Sequence, residues 1–317
     1  MASKSIYKGN TIFKPTNLNL LLIIFKERFT PRQGRYLKLK IKRIKTRYWR
    51  PGTDVISEIT TILHDELKDG DLISVSEKAL ATALGLVVDE SLVSSSSLSR
   101  FIASFWMRRI WGGPLGVLTR LKPQTLFNLR NYPTDFGAKH KQLALMRVGF
   151  LQALRHYSEG GIDASNLPYM FVSLPLSNAI NIAEQIERAL YEGTGRKVSV
   201  MIVDGDSTYS WKNLHIAPRQ VNIPGLIHFG GFIAFVVGRV FRFRSRPTPV
   251  ALVGNQFNPD RALWLAKTAH KISGAGAGRT VWGMSRRFKT DLAGITYEML
   301  ESLEHVPILI FRIEEDP

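Results

Sequence analysis

Apolar and polar positions along this chain follow two distinct periods. Leu37, Leu39 and Ile41 alternate with Lys38, Lys40 and Lys42, the two-residue period of a half-buried strand with a basic, solvated outer face. After Pro51 and Gly52, Thr53 or Asp54 can cap a helix whose apolar stripe is Val55, Ile56, Ile59, Ile62, Leu63 and Leu67, closed by Gly70. A buried strand, Leu72 to Val75, follows. The serines from Ser94 to Ser97 read as a loop, and Phe101 to Tyr157 as mostly helical with a break at Gly112, Gly113 and Pro114. A strand near Met170 to Leu174 leads to a helix carrying Ala179, Ile182, Ala183, Ile186 and Leu190, stopped at Gly193 and Gly195. The strand Val198 to Val203 then ends abruptly in polar residues. Helices at Pro259 to Ile272 and Asp291 to Leu303 and a last strand, Pro307 to Phe311, complete an α/β alternation. The expected division is an N-terminal extension over 1–34, which carries no sustained period, and one α/β domain over 35–317 with a helical insertion at 98–157.

Composition alters this picture in two places. None of the 317 residues is cysteine, which excludes disulfides, thiolate metal sites and cysteine nucleophiles and fits a reducing compartment, so a cytoplasmic protein is expected. The net charge of +17 is unevenly spread: residues 1–50 hold fourteen of the 43 Lys and Arg and one of the 26 acids, a net of +13, leaving +4 for the rest. That concentration raises RNA or a membrane surface as a partner of the N-terminal segment. No recognised RNA-binding motif accompanies it, and nucleic acid and membrane are expected not to be partners. Leu20 to Phe25 is too short for a signal peptide and runs into Lys26, Glu27 and Arg28. The apolar run Ile223 to Val240 is interrupted by Pro224, His228, glycines and Arg239, short of the roughly 18 apolar residues of a span. It reads as a buried or interface segment.

Two stretches carry chemistry. Gly160-Gly161-Ile162-Asp163-Ala164-Ser165-Asn166 delivers a carboxylate, a hydroxyl and an amide from one glycine turn. Val198 to Val203 runs into Asp204-Gly205-Asp206-Ser207-Thr208, placing two carboxylates at the end of an apolar strand, where α/β sheets form ligand sites. Acidic loops of this kind suit Mg²⁺, which accepts one or two protein carboxylates and fills its other positions with water and phosphate oxygens. They are also common turn chemistry. Elsewhere the simpler readings hold: His140 and His156 as surface or satisfied helical histidines, Trp211 as core, and Arg242, Arg244 and Arg246 as the solvated face of a strand.

Taken in order, several of these pieces resemble the coenzyme F(420) γ-glutamyl ligases. They are Leu67-Lys68-Asp69-Gly70-Asp71 with Ile73 to Lys78, the Gly161-Ile162-Asp163 and Ser165-Asn166 turn, and Ser173-Leu174-Pro175 before a helix with Arg188. Val198 to Asp204 with Trp211, Gly238-Arg239 and the helix from Pro259 to Gly274 continue the match. The resemblance implies a mixed α/β sheet of the γ-glutamyl ligase type in an intertwined homodimer. It also implies GTP- or ATP-dependent joining of a carboxylate of a deazaflavin precursor to L-glutamate, with Mg²⁺ or Mn²⁺. Asp163 and Asp204 would hold a cation, with Asp206 or Thr208 as a further oxygen ligand, while Lys78, Ser165 and Asn166 would contact the nucleotide. The chain departs from the family pattern at Thr82, where a second lysine is usual, at Gly205 after the acidic Asp204, and near Gly274 and Ala275, where a glutamine is usual. A nucleotide-binding or interaction protein that has lost catalysis is the alternative these departures raise.

Overall fold

The computed structural model describes residues 6–8, 11–17, 20–26, 36–255 and 257–315, with side chains described from 39 to 312 apart from 256. Strands β1 (Ile6–Lys8), β2 (Thr11–Asn17), β3 (Leu20–Lys26) and β4 (Tyr36–Thr46) open the chain, followed by α1 (Val55–Leu63), β5 (Leu72–Ser76), α2 (Glu77–Ala83) and β6 (Val87–Asp89). A helical stretch comes next: α3 (Ser97–Phe101), which continues as a π-helix to Trp111, then α4 (Pro114–Leu118), α5 (Pro123–Arg130), α6 (Thr134–Arg147) and α7 (Phe150–Ala153). The remainder is β7 (Phe171–Ser173), α8 (Ala179–Thr194), β8 (Ser199–Trp211), β9 (Leu214–Ala217), β10 (Leu226–His228), α9 (Gly231–Val240), β11 (Arg244–Val253), α10 (Pro259–Ser273), α11 (Val281–Phe288), α12 (Tyr297–Glu301) and β12 (His305–Glu315).

One mixed ten-stranded sheet runs β1-β2-β3-β4-β12-β5-β8-β9-β10, with β11 also on β8. The contacts β5–β8 and β9–β10 are parallel and the others antiparallel. The last strand thus sits in the middle, between β4 and β5. Side-chain alternation assigns the two faces. Ile73, Val75, Val200, Ile202, Ile308 and Ile310 pack with α1 and α8 in one core. Leu72, Met201, Val203, Leu309 and Phe311, with Leu39 and Ile41, pack against Leu265, Ala266 and Ala269 of α10 in the other. Lys40, between Leu39 and Ile41, therefore faces away from α10, and Lys42 pairs with Glu66. The helical stretch builds a third core around Ile102, Met107, Trp111, Leu129 and Tyr132, which Phe232 and Phe235 of α9 join.

Several expectations need correction. The segment 1–34 is not without regular structure, because β1, β2 and β3 form an antiparallel addition to β4. The Val198 strand does not stop at Val203 but continues to Trp211 through a bulge: Asp204 pairs with Thr248 and Ser207 with Pro247, so Gly205 and Asp206 are extra residues. Only the last part of Asp291 to Leu303 is helical, starting after Thr296, whose side chain caps Met299 N. Arg246 is not solvated. It is 1% exposed and donates to Asp260 Oδ1 at 2.6 Å and Ser210 Oγ at 2.8 Å. Trp211 is 55% exposed rather than core.

Candidate functional site

The bulge in β8 is where the site forms. Along one edge β8 is covered by β11, while along the other β5 pairs with Ser199–Val203 and β9 with Tyr209–Trp211. The intervening Asp204–Thr208 face a notch that no strand fills on that edge. Thr248 fixes the bulge by donating its hydroxyl to the Asp206 carbonyl at 2.7 Å. Gly205 is close to α10, and a Cβ there would lie 3.2 Å from His270 Cε1.

From the other side the glycine turn brings Asp163. Gly160 and Gly161 have φ of 66° and 99°, which glycine adopts without a Cβ clash. A Cβ on Gly161 would also meet Pro175 Cβ at 2.9 Å. Asp163 is tied by its backbone to Ser173, at the end of β7. Its Oδ1 accepts from Ser165 N at 2.7 Å. Lys78, in the first turn of α2, reaches Asp163 Oδ2 at 2.5 Å and Ser165 Oγ at 2.6 Å.

These elements enclose a cavity of about 510 Å³ lined by Lys78, Asp163, Ser165, Asn166, Asp204 and Asp206, together with Ser273–Arg279 and His270. Lys78, Asp163, Ser165, Asn166, Asp204 and Asp206 therefore reach one cavity, whereas Thr208 does not line it: it is fully buried with its hydroxyl 2.8 Å from that of Thr248. They do not form a ready-made metal cluster: among the described residues no three Asp, Glu or His side chains gather in that way. Asp206 turns to the buried Arg155 at 3.3 Å, and Asp163 is held by Lys78. Asp204 is the open position. Its Oδ2 is buried and accepts no hydrogen bond among the described residues, with Arg219 Nε 3.6 Å away. A buried carboxylate oxygen left in that state fits a cation ligand.

Four groups in or beside the cavity were missed in the sequence: Glu77, Arg219, His270 and the loop over 273–279. Glu77 accepts from Leu176 N at 2.9 Å and pairs with Arg219, both nearly buried. Burial pushes the Glu77 carboxyl up to about 7, and Asp204 adds to the shift against the pull of Arg219. Burial, then Asp204, likewise pushes Asp206 up to about 7. His270 is held below its ordinary value by burial and then by the Arg279 cation, while Asp204 and Asp163 oppose. The fourth group is the loop Ser273-Gly274-Ala275-Gly276-Ala277-Gly278-Arg279 itself. Its signal in the sequence is the glycine repeated at 274, 276 and 278. Gly274 and Gly276 have φ of 83° and 55°, and a Cβ on Gly276 would meet Asn166 Oδ1 at 2.5 Å. Asn166 pins the loop from both sides, accepting from Ala277 N at 2.6 Å and donating to Gly278 O at 3.1 Å. The Asn166 amide is thus committed to the loop, and the loop and Lys78 line the same cavity.

A family model for F(420)-0:gamma-glutamyl ligase matches residues 43–230, which takes in β5, Lys78, the glycine turn and both carboxylates of the bulge. The chain belongs to the F(420)-0:gamma-glutamyl ligase family. That membership supports a ligase role in coenzyme F(420) biosynthesis. An uncharacterized protein of Methanocaldococcus jannaschii is 30% identical over 288 residues, spanning 86% of this chain and 96% of that protein. The glycine loop, α10 and Arg279 lie beyond the family-matched residues, so this ligase-family chain completes its cavity with a segment outside the matched region.

Beside the main cavity is a second of about 140 Å³, lined by Tyr132, Phe136, His156, Tyr157, Phe171 and Trp282 among others and sharing Ser158, Asp163, Ser165 and Arg279 with the first. His140 spans two acids on its wall, with Nδ1 2.6 Å from Glu90 Oε1 and Nε2 3.2 Å from Glu159 Oε2. Burial alone would lower His140, but the two carboxylates override it and hold it up to about 10. His156 is pushed down to about 3 by burial and the Arg155 cation, and is neutral. Both histidines are satisfied or buried structural groups.

Proposed function

We propose that this chain is an NTP- and divalent-cation-dependent ligase that joins a carboxylate of a deazaflavin coenzyme precursor to L-glutamate through a γ-glutamyl-type amide. The observation that carries the reading is the convergence of Asp163, Asp204 with an Oδ2 that accepts no hydrogen bond among the described residues, Lys78 and the glycine loop on one cavity. Asp163 and Asp204 would hold Mg²⁺ or Mn²⁺, which when bound would neutralise charge on the nucleotide phosphates. Free backbone amides in a glycine loop are suited to an anion. The Ala275 and Gly276 amides make no hydrogen bond to protein among the described residues. Lys78 and Arg279 line the same cavity and supply positive charge there.

In the proposed reaction the acceptor carboxylate attacks the γ-phosphorus, and the bond to the bridging oxygen breaks to release the nucleoside diphosphate. The glutamate amine then attacks the acyl carbon, losing a proton and expelling phosphate. Lys78 helps stabilise the charge that moves onto the leaving oxygen. The test is a melting curve with Mg²⁺ and GTP or ATP, alone and together, followed by product detection with glutamate and the deazaflavin precursor. A rise in melting temperature that needs the cation, is lost in Asp163→Asn and is followed by amide product supports the ligase.

A second reading, nucleotide binding without catalysis, is favoured by Thr82. Its hydroxyl is buried and spent on the Lys78 carbonyl at 2.9 Å, so no second cation stands one turn after Lys78. Nucleotide binding with no NTP consumed by any carboxylate acceptor would select it.

A further inference from the structure

Outside the cavity, one face of the molecule combines exposed rings and aliphatic side chains with positive charge. Phe241, at the C-terminal end of α9, is 68% exposed and Trp211 is 55% exposed. Phe243 connects them, with ring centroids 6.2 Å from Phe241 and 6.1 Å from Trp211 in a stacked arrangement. The end of α4 is joined to the same place. Arg120 Nη1 donates to the Arg239 carbonyl at 2.9 Å, and Arg239 returns bonds to the carbonyls of Thr119 and Arg120 at 2.9 and 2.6 Å. That brings in Val117 and Leu118, 62% and 55% exposed. Exposed apolar side chains grouped in this way mark an interaction surface.

Charge says what it meets. Between Glu90 and Asp135 the chain has Arg100, Arg108, Arg109, Arg120, Lys122 and Arg130 and no acid, and between Asp206 and Asp260 no acid either. Lys212, Arg242 and Arg244 border the ring ladder and are exposed, with Lys212 Nζ 5.2 Å from the centre of the Trp211 ring. Lys and Arg around Trp, Phe, Leu and Val are the composition of an element that lies in a membrane interface, rings and aliphatics at the acyl boundary and cations among anionic headgroups. A single-stranded nucleic acid would use the rings and cations but has no use for Val117 and Leu118. No helix among the described residues is long and apolar enough to cross a membrane, so the contact is with a surface.

We infer that the face formed by Val117, Leu118, Trp211, Phe241 and Phe243 with Arg120, Lys212, Arg242 and Arg244 docks the protein on an anionic lipid bilayer. This runs against the expectation drawn from the sequence that a membrane is not a partner, and it is independent of the ligase reading. The test is co-sedimentation of the full chain with vesicles of phosphatidylcholine alone and of phosphatidylcholine with an equal part of phosphatidylglycerol, while Trp211 fluorescence is followed against Trp211→Phe. Binding to the anionic vesicles only, reversed by salt, with a blue shift that Trp211→Phe removes, is the expected result. Arg242→Glu with Arg244→Glu should cut the affinity by about tenfold or more, from the usual contribution of each juxtamembrane cation. Phe241→Ser with Leu118→Ser should cut it comparably, and melting curves of all variants should match the parent. Vesicle binding unchanged in both double variants overturns the inference. So does binding to poly(U) without binding to vesicles, or self-association in vesicle-free buffer that Phe241→Ser abolishes.

Discussion

Lys78 Nζ stands 2.5 Å from Asp163 Oδ2, so the helix that follows β5 and the glycine turn that precedes β7 are joined by an ion pair on the wall of the cavity. The pair is partly exposed, with side chains 26% and 38% accessible, and its value lies in position more than in stability. Lys78→Ala is expected to leave the melting temperature nearly unchanged. It should weaken nucleotide binding by roughly ten- to a hundredfold, the worth of one charge-assisted hydrogen bond. Titration calorimetry with GTP and ATP checks it. Cation binding at Asp163 should survive, because the carboxylate loses a competitor and not a ligand.

Asn166 makes a different prediction, since its side chain holds the glycine loop. Asn166→Ala removes the bonds to Ala277 N and Gly278 O and should cost about 1–3 kcal/mol, at roughly 1 kcal/mol for each lost bond or more where a buried partner is stranded. Faster amide exchange confined to 274–279, with weaker nucleotide binding, is the expected pattern. Normal exchange there would mean that Asn166 does not order the loop.

How far the site was legible depended on the kind of signal. The continuous runs Leu72 to Val75 and Val198 to Val203 gave two central strands, and Asp54 caps α1 by accepting from Ser57 N. The continuation of β8 was hidden because Asp204-Gly205-Asp206-Ser207 has turn composition, and a bulge is fixed by a partner, Thr248, far away in sequence. A strand was legible at Arg242 to Arg246, but the continuation of β11 to Val253 was hidden by Pro247 and Pro249, which demote a strand when read locally. Burial of Arg246 depends on Asp260 and Ser210, and burial of Glu77 on Arg219. No local pattern carries such pairings. The apolar run Ile223 to Val240 splits accordingly, with Ile223, Leu226 and Ala234 buried and Phe229 and Ile233 exposed.

The His140 bridge predicts a pH dependence. His140 is held up to about 10 in the folded chain against an ordinary 6.5. A cation whose folded value is raised contributes stability that is complete below the unfolded value and lost as pH rises through the folded one. The loss of stability on making His140→Gln, about 3–5 kcal/mol near neutrality because Glu90 stays buried without its cation while Glu159 keeps only Lys141, should therefore shrink between pH 7 and about 10. Chemical denaturation of both proteins across that range measures it. A constant difference would mean that His140 is neutral in the folded chain.

Arg219 separates two roles for the acidic end of the cavity. It pairs with Glu77 and lies 3.6 Å from Asp204 Oδ2, so part of the charge a divalent cation would supply is already provided by this guanidinium. Burial would lower Arg219, but Glu77 and then Asp204 hold it charged. Arg219→Gln keeps a polar side chain and removes the charge, leaving two buried carboxylates facing one another. In the absence of metal the variant should lose about 3–5 kcal/mol, the usual consequence of stranding a buried charge. With Mg²⁺ or Mn²⁺ present, a cation held by Asp204 replaces the missing positive charge. The rise in melting temperature on adding metal should then be larger in Arg219→Gln than in the parent. Asp204→Asn in the same background should remove that extra rise, since it deletes the carboxylate that receives the cation and relieves the repulsion directly. If Arg219→Gln is destabilised but metal restores no more stability than in the parent, Asp204 is not a cation ligand and Arg219 alone neutralises it.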